Sequence, residues 1–370
     1  MEKQYQLALT LVEGVGSIMF RQLISNMGSA ENVFKAKTDK LLKTPGVGKQ
    51  IIEGLKDKNL LTRAENILQE SDKQQVKLYF SIDKDYPSRL KSLYDAPAIL
   101  YFKGKGDLSA LRTIGIVGTR QATEYGKKIT EEIIEQLKPY GISVISGLAY
   151  GIDIAAHKAA LDNEVPTIGV MASGIDIIYP AAHQKYAEQM LELGGIVSES
   201  PFGMKPIRNL FIARNRIIAG LSDVNIVVES ADKGGALVTA DFANNYHHEV
   251  FAVPGSLANK YSAGCHKLIK ENKANIFTEV NDIVEAMNWG TDGKGIEGKT
   301  KPKETDIDLT QFTQEEGQVI AYLRTHGETQ IDNLSWQTQI PINRLASLLL
   351  NLEFQGIVKA MAGKKFGLKL

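Results

Sequence analysis

A single cysteine, Cys265, stands in a chain of 370 residues, so no internal disulfide can form and a reducing compartment suits the sequence. No stretch approaches the roughly 20 consecutive apolar residues that a membrane-spanning helix needs. The opening residues, MEKQYQLALTLVEGVG, lack the basic-then-apolar layout of a secretory signal. These absences give the expectation of a cytoplasmic protein with no membrane partner. Net charge is missing too. Lys plus Arg and Asp plus Glu both number 43, which argues against a broad electrostatic grip on nucleic acid. A local imbalance remains: no acidic residue occurs from Ser200 to Ser222, whereas Lys205, Arg208, Arg214 and Arg216 fall inside.

The usual signatures of catalysis are also lacking. There is no G-x-S-x-G elbow, no H-E-x-x-H, and no zinc-deaminase pattern ending in P-C-x-x-C. Asp153 and His157 lie four apart on a helical stretch and could supply two metal ligands, but nothing is spaced to complete the set. A capping Asp and a packed His account for them better. Glu229 closes a strand-like run without a visible acid–base partner. The expectation is a protein that is not an enzyme and that takes no metal and no cofactor.

What is present divides the chain. Residues 1–75 carry helical spacing (Leu7, Leu11; Phe20, Leu23, Ile24; Ile51, Ile52, Leu55) and two phrases 32 positions apart, Gly14-Val15-Gly16 and Gly46-Val47-Gly48. Each opens an amphipathic helix, the helix-hairpin-helix pattern; its glycines allow a tight turn and free amides that either face a phosphate or serve packing alone. From 76 to 289, β-rich runs (Ile114–Val117, Ser143–Ile145, Thr167–Val170, Ile196–Ser198, Asn225–Val228, Val250–Val253) alternate with helical segments. That alternation predicts an α/β fold, a doubly wound parallel sheet with helices on both faces. Residues 290–308 lose the apolar pattern and read as a solvated linker. Residues 309–370 predict three short helices and a terminal hairpin around Ala362-Gly363, a winged helix. Its recognition-type helix, Pro341–Phe354, has Arg344 as its one cation, which favours protein contact or packing over groove reading.

Ligands of such sheets collect beyond the carboxyl ends of the strands, where this sequence is most distinctive. The first central strand runs into Gly118-Thr119-Arg120: a glycine for close backbone approach, then an arginine fork suited to phosphate. No G-x-G-x-x-G follows it. The next ends in Ser146-Gly147-Leu148-Ala149-Tyr150-Gly151-Ile152-Asp153. On a helix, Phe211, Arg214, Asn215 and Ile218 share a face, with Arg208 just before them. An aromatic beside Arg and Asn can stack a base and hold a phosphate, though Phe211 alone would equally suit a core. A further glycine turn, Lys233-Gly234-Gly235, opens another helix.

Together with Tyr86-Pro87, the run from Asp95 to Tyr101, Tyr179-Pro180, Gly234–Ala240 and Ala252–Gly255, these phrases resemble the DprA/Smf family in order and spacing, closely over about residues 80–285. The resemblance implies an extended Rossmann-like domain that binds single-stranded DNA, flanked by an N-terminal helix-hairpin-helix (SAM-like) domain and a C-terminal winged helix. It implies homodimerisation and delivery of DNA to a RecA-class recombinase during natural transformation. Carried over by position, the Gly118–Arg120 turn, Gly147, Arg208, Phe211, Arg214 and Asn215 hold nucleotides, with Lys233 and Gly235 beside them. The helix after Gly264, with Leu268 and Ile269, is the implied dimer element, although its apolar stripe also suits burial within one subunit. His266, Lys273-Ala274, Lys233-Gly234-Gly235 and His183 depart from the family's commoner residues. Two other readings compete. A phosphoribohydrolase-type nucleotide enzyme would need P-G-G-x-G-T, which Lys233–Ala240 does not match. A winged-helix regulator would need a more basic recognition helix.

Overall fold

The computed structural model describes residues 2–290, 312–327, 329–361 and 365–368. The chain forms two compact units, Met1–Gly295 and Ile296–Leu370. Beyond Gly290, the linker segment lies outside the described residues, as does the Ala362-Gly363 turn. Among the described residues, no helix is long and apolar enough to cross a membrane.

The first unit opens with six helices: α1 (Glu2–Thr10), α2 (Ser17–Met27), α3 (Ala30–Lys35), α4 (Thr38–Leu41), α5 (Lys49–Leu55) and α6 (Leu60–Lys73). The two Gly-Val-Gly turns lead into α2 and α5, and they pack reciprocally. A Cβ on Gly14 would meet Ile51 of the second hairpin, and one on Gly46 would meet Met19 of the first. Since Met19 and Ile51 are themselves 32 positions apart, the repeat seen in sequence is a pseudo-twofold pair in space. Gly14 and Gly46 have positive φ (+88 and +85), which explains glycine there. At the first hairpin Ser17 Oγ donates to Glu199 and accepts from the Ala98 amide, so this turn docks on the sheet domain.

The sheet has nine strands: β1 (Lys77–Phe80), β2 (Ile99–Gly104), β3 (Thr113–Val117), β4 (Ser143–Gly147), β5 (Thr167–Val170), β6 (Gly195–Ser198), β7 (Val224–Val227), β8 (Glu249–Ala252) and β9 (Asn275–Ile276). Their order is β1-β2-β6-β5-β4-β3-β7-β8-β9. All pairings from β6 to β9 are parallel, whereas β1 with β2 and β2 with β6 are antiparallel. β3, β4, β5, β6 and β7 are buried along their whole length, as continuous apolar strands between two helical layers must be.

One layer holds α8 (Glu124–Leu137), α9 (Ile152–Asp162) and α14 (Val280–Ala286). The other holds α7 (Ser88–Lys91), α11 (Arg208–Leu221), α12 (Gly235–Asn245) and α13 (Ala263–Lys270); α10 (Gln184–Met190) packs between β5 and β6 and the helical domain. Alternate strand residues divide between the layers, Ile114 and Ile116 to the first, Val117 to the second. The chain leaves β3 toward β4 and later returns to β7 on β3's other side. The switch point therefore lies between the carboxyl ends of β3 and β7, where α/β sheets hold ligands.

The second unit contains α15 (Gln314–His326), α16 (Ile331–Thr338) and α17 (Ile342–Phe354), with a sheet ordered β10 (Thr329–Gln330), β12 (Lys365–Leu368), β11 (Val358–Met361). This is a winged helix built on Val319, Leu323, Leu334, Leu345, Leu349 and Leu352. Arg344, the one cation of α17, pairs with Glu315 at 2.7 Å. Ile342, Leu350 and Phe354 stand exposed on the same helix, a surface with little to offer a DNA backbone.

Candidate nucleic-acid interface

The turn after β3 is built by close backbone packing. A Cβ on Gly118 would strike Ile152, and one on Gly151 would strike the Thr119 carbonyl. Gly151 also has φ +81. The Thr119 amide donates to Glu229 O (2.7 Å), the Ile152 amide donates to Thr119 O (3.1 Å), and Thr119 Oγ1 accepts from the Gln121 amide (3.2 Å). The Thr119 amide is thus engaged inside the protein, which leaves Arg120 as the outward-facing group of this triplet. Its guanidinium carbon lies 5.2 Å from the centroid of the Phe211 ring, within cation–π range.

Glu229 is only 1% exposed. Its carboxylate accepts from the Thr123 amide (2.9 Å) and hydroxyl (2.6 Å), so it caps α8 and is not placed as a free base.

Beneath the rim sits a buried polar cluster. Arg214 is 7% exposed and donates through Nη1 to the Val170 carbonyl and through Nε to Asn215 Oδ1. A Cβ on Gly147 would collide with both the Arg214 guanidinium and the Asp153 carboxylate. That is why the β4 turn needs glycine. Burial raises the pKa of Asp153, with Arg214 pulling the other way. His157 is fully buried; Nε2 donates to Gly147 O (2.8 Å) and Nδ1 accepts from Thr167 Oγ1 (2.8 Å). Burial pushes its pKa down to about 4. A neutral, doubly bonded imidazole is no metal ligand, and among the described residues no group of three or more His, Cys, Asp or Glu is placed to hold a metal.

The low folded pKa has a testable consequence. A histidine held below its unfolded value of 6.5 contributes stability above about pH 6.5 that is lost as pH falls toward 4, about 3 kcal/mol in full. In imidazole nitrogen NMR, His157 should not titrate between pH 8 and 5. A midpoint near 6.5 would refute the buried neutral ring.

The first turns of α11 complete the rim. Arg208 is exposed at its first position. Phe211, one turn on, is half-buried, with the Tyr179 ring 5.9 Å away and edge-on. Asn215 donates to Gly235 O at 3.3 Å, joining α11 to the start of α12. Lys233 is exposed, and a Cβ on Gly235 would meet nothing within 4 Å.

The structure therefore brings Arg120, Phe211, Asn215 and Gly235 to one edge, with Arg208 at the head of the same helix. It places Arg214 and Gly147 below that edge, inside. The acid-free stretch also divides: Arg216 pairs with Glu199 (both oxygens at 2.5 Å) and donates to Asp95 O (2.6 Å), so with Arg214 it is internal. Burial raises the Glu199 pKa, and Arg216 opposes that shift. Leu268 lies elsewhere, 3% exposed in the core of its own subunit, with Ile269 half-buried against the same cluster. Ile269 keeps part of its surface open, so of the two only Leu268 is closed off within the subunit. Tyr179 and Tyr150, each half exposed, are rim aromatics that periodicity could not single out; only the Tyr179-Pro180 phrase signalled the first.

The family pattern described as DNA recombination-mediator protein A matches residues 77–288, more than half of the 370. The chain belongs to the DprA/Smf family. The pattern of the DprA winged helix domain matches residues 300–364. Protein Smf of a Synechocystis species is 31% identical over 396 residues, covering 99% of this chain and 98% of that one. The Bacillus subtilis DNA processing protein DprA is 43% identical over 207 residues, 55% of this chain and 69% of that one.

Among solved structures, DprA of Streptococcus pneumoniae superposes with a TM-score of 0.65 at 30% identity, over 76% of this chain and 97% of that one. DNA processing protein A of Helicobacter pylori, described for its single-stranded DNA binding mode, gives 0.52 at 29% identity over 58% and 96%. One string in this DprA/Smf chain looks like a phosphate loop from another class: Gly293–Thr300 (GKGIEGKT) has Walker A spacing. It follows a helix, not a strand, and lies outside the described residues. The motif takes its meaning from a strand leading into the loop, and among the described residues the preceding element is α14.

Proposed function

We propose that this protein binds single-stranded DNA along the carboxyl edge of its sheet and hands it to a RecA-class recombinase in natural transformation or the processing of DNA taken up. The observation that carries this reading is the rim itself. An exposed arginine lies over a half-buried phenylalanine beside an exposed tyrosine, with an open glycine amide at the adjoining helix start. Bases stack on aromatic faces whatever their sequence, and cations follow the backbone. Binding is favoured over bond-breaking because the nearby titratable groups are engaged. Glu229 caps a helix, His157 is doubly bonded, and burial pushes the Cys265 thiol up to about 12. The family's description as a recombination mediator supports a recombinase as the partner, and the single cysteine suits a cytoplasmic setting. A homodimer would hold one strand at two sites and gain avidity from effective concentration.

The test is fluorescence anisotropy with one labelled sequence as single strand and as duplex, at two salt concentrations. Strong single-strand preference that weakens with salt is expected. Equal affinity for both forms would overturn the reading. Gly235→Ala should leave the melting temperature unchanged, since its Cβ has open space, yet weaken binding several-fold where a phosphate approaches that amide.

A further inference from the structure

The turn after β3 has two sides. Arg120 reaches toward Phe211. Its neighbour Gln121 reaches the other way, accepting through Oε1 from the hydroxyl of Tyr261. Tyr261 belongs to the loop of residues 254–262, which crosses the carboxyl ends of β7 and β8. Lys260 Nζ lies 4.8 Å from the Tyr261 ring centroid. Tyr125, half exposed at the start of α8, donates to Pro254 O at 2.9 Å. Leu257, at the loop's tip, is 92% exposed.

This loop is held in place. The Ser230 amide donates to Tyr261 O (2.6 Å), the Tyr261 amide to Asn259 Oδ1 (3.0 Å), and Asn259 Nδ2 to Glu229 (3.5 Å). Lys260 is exposed and has no ion pair among the described residues. The adjacent acid, Glu124, pairs with Lys127 at 2.6 Å.

We propose that Tyr261 and Lys260, flanked by Tyr125, form a second stacking site for the same DNA strand, on the far side of the β3 turn from Phe211. This inference rests on the single-strand reading above and extends it. Two cation–aromatic pairs, Arg120 with Phe211 and Lys260 with Tyr261, flank one turn at the carboxyl edge of one sheet. Adjacent residues of that turn, Arg120 and Gln121, touch the two pairs. A single strand running along this edge meets both, whereas a mononucleotide fills only one. The site is therefore predicted to favour longer oligonucleotides, because a second stack adds affinity only when the strand reaches it.

The experiment measures anisotropy of the full chain with labelled oligothymidylates of about 3 and about 20 nucleotides, lengths on either side of the roughly 4–16-nucleotide site sizes common for single strands. Wild type should bind the long oligonucleotide more tightly. The double variant Lys260→Ala/Tyr261→Ala should keep wild-type affinity for the short one and lose about tenfold on the long one, as expected for one lost stack and one lost cation. Tyr261→Phe, which keeps the ring, should bind as wild type. Should the double variant fold poorly, Lys260→Ala alone should lower the salt slope by about one on the long oligonucleotide only. Undiminished long-strand binding by the double variant, or an unchanged salt slope where only Lys260→Ala folds, overturns the second site. Failure of wild type to bind either length overturns the underlying reading instead.

Discussion

Replacing Phe211 by Ala is expected to weaken single-strand binding by about 5- to 150-fold while the protein stays folded. The range follows from the roughly 1–3 kcal/mol that a base–aromatic stack contributes. Folding survives because Phe211 is only half-buried and its partners, Tyr179 and the Arg120 guanidinium, lie at the surface edge. Arg120→Ala should act in the same direction but differently. It removes a phosphate contact, so the salt dependence of binding flattens, and it frees the Phe211 face without deleting it. Combining the two should cost less than the sum of the single losses, because they form one contact unit. Anisotropy titrations at two salt concentrations, with melting temperatures in parallel, read all of this. Wild-type affinity in Phe211→Ala would remove the rim from the proposed site.

Much of this architecture could be read in the sequence because parallel strands buried on both faces are continuous apolar runs. Ile114–Val117 and Thr167–Val170 have no other sensible place than a covered sheet. β1 and β2 were less legible. They form the antiparallel flank, and Lys77-Leu78-Tyr79-Phe80 carries neither clean alternation nor a bounding turn. The paired Gly-Val-Gly turns announced a duplication, but not that one copy would be held against the sheet by Ser17 and Glu199. Within the site, glycines and aromatics could be picked out, since their chemistry is local. Arginines could not be sorted. Arg120 and Arg214 are the same residue type at equally suggestive positions, and only the three-dimensional environment separates an exposed fork from an internal strut. Tyr179 was signalled only by the Tyr179-Pro180 phrase, because it reaches Phe211 from a loop, outside any periodic element.

That separation makes Arg214→Ala a folding lesion first. Removing one member of a buried charged cluster leaves the other uncompensated, which costs about 3–5 kcal/mol. Here the residue left behind is Asp153, beneath Gly147, and the Val170 carbonyl also loses its donor. The loss should depend on pH. Burial already raises the folded pKa of Asp153, and Arg214 opposes that shift, so the variant raises it further. Between the unfolded value near 3.8 and the folded one, the native state binds more protons, so stability declines as pH rises. The variant declines further than wild type because its window extends higher. Arg214 also disfavours protonation of His157, so its removal relieves that group at low pH as well. Both effects shrink the deficit on acidification. Urea midpoints at pH 7 and pH 5 should therefore differ more between wild type and variant at the higher pH. Adding Asp153→Asn should recover part of the loss at pH 7, since a paired deletion removes the orphaned charge. A deficit identical at both pH values, or a double variant no better than Arg214→Ala, would show that Arg214 is not held in place to balance Asp153. Any fall in DNA affinity would then have to be read as a direct contact.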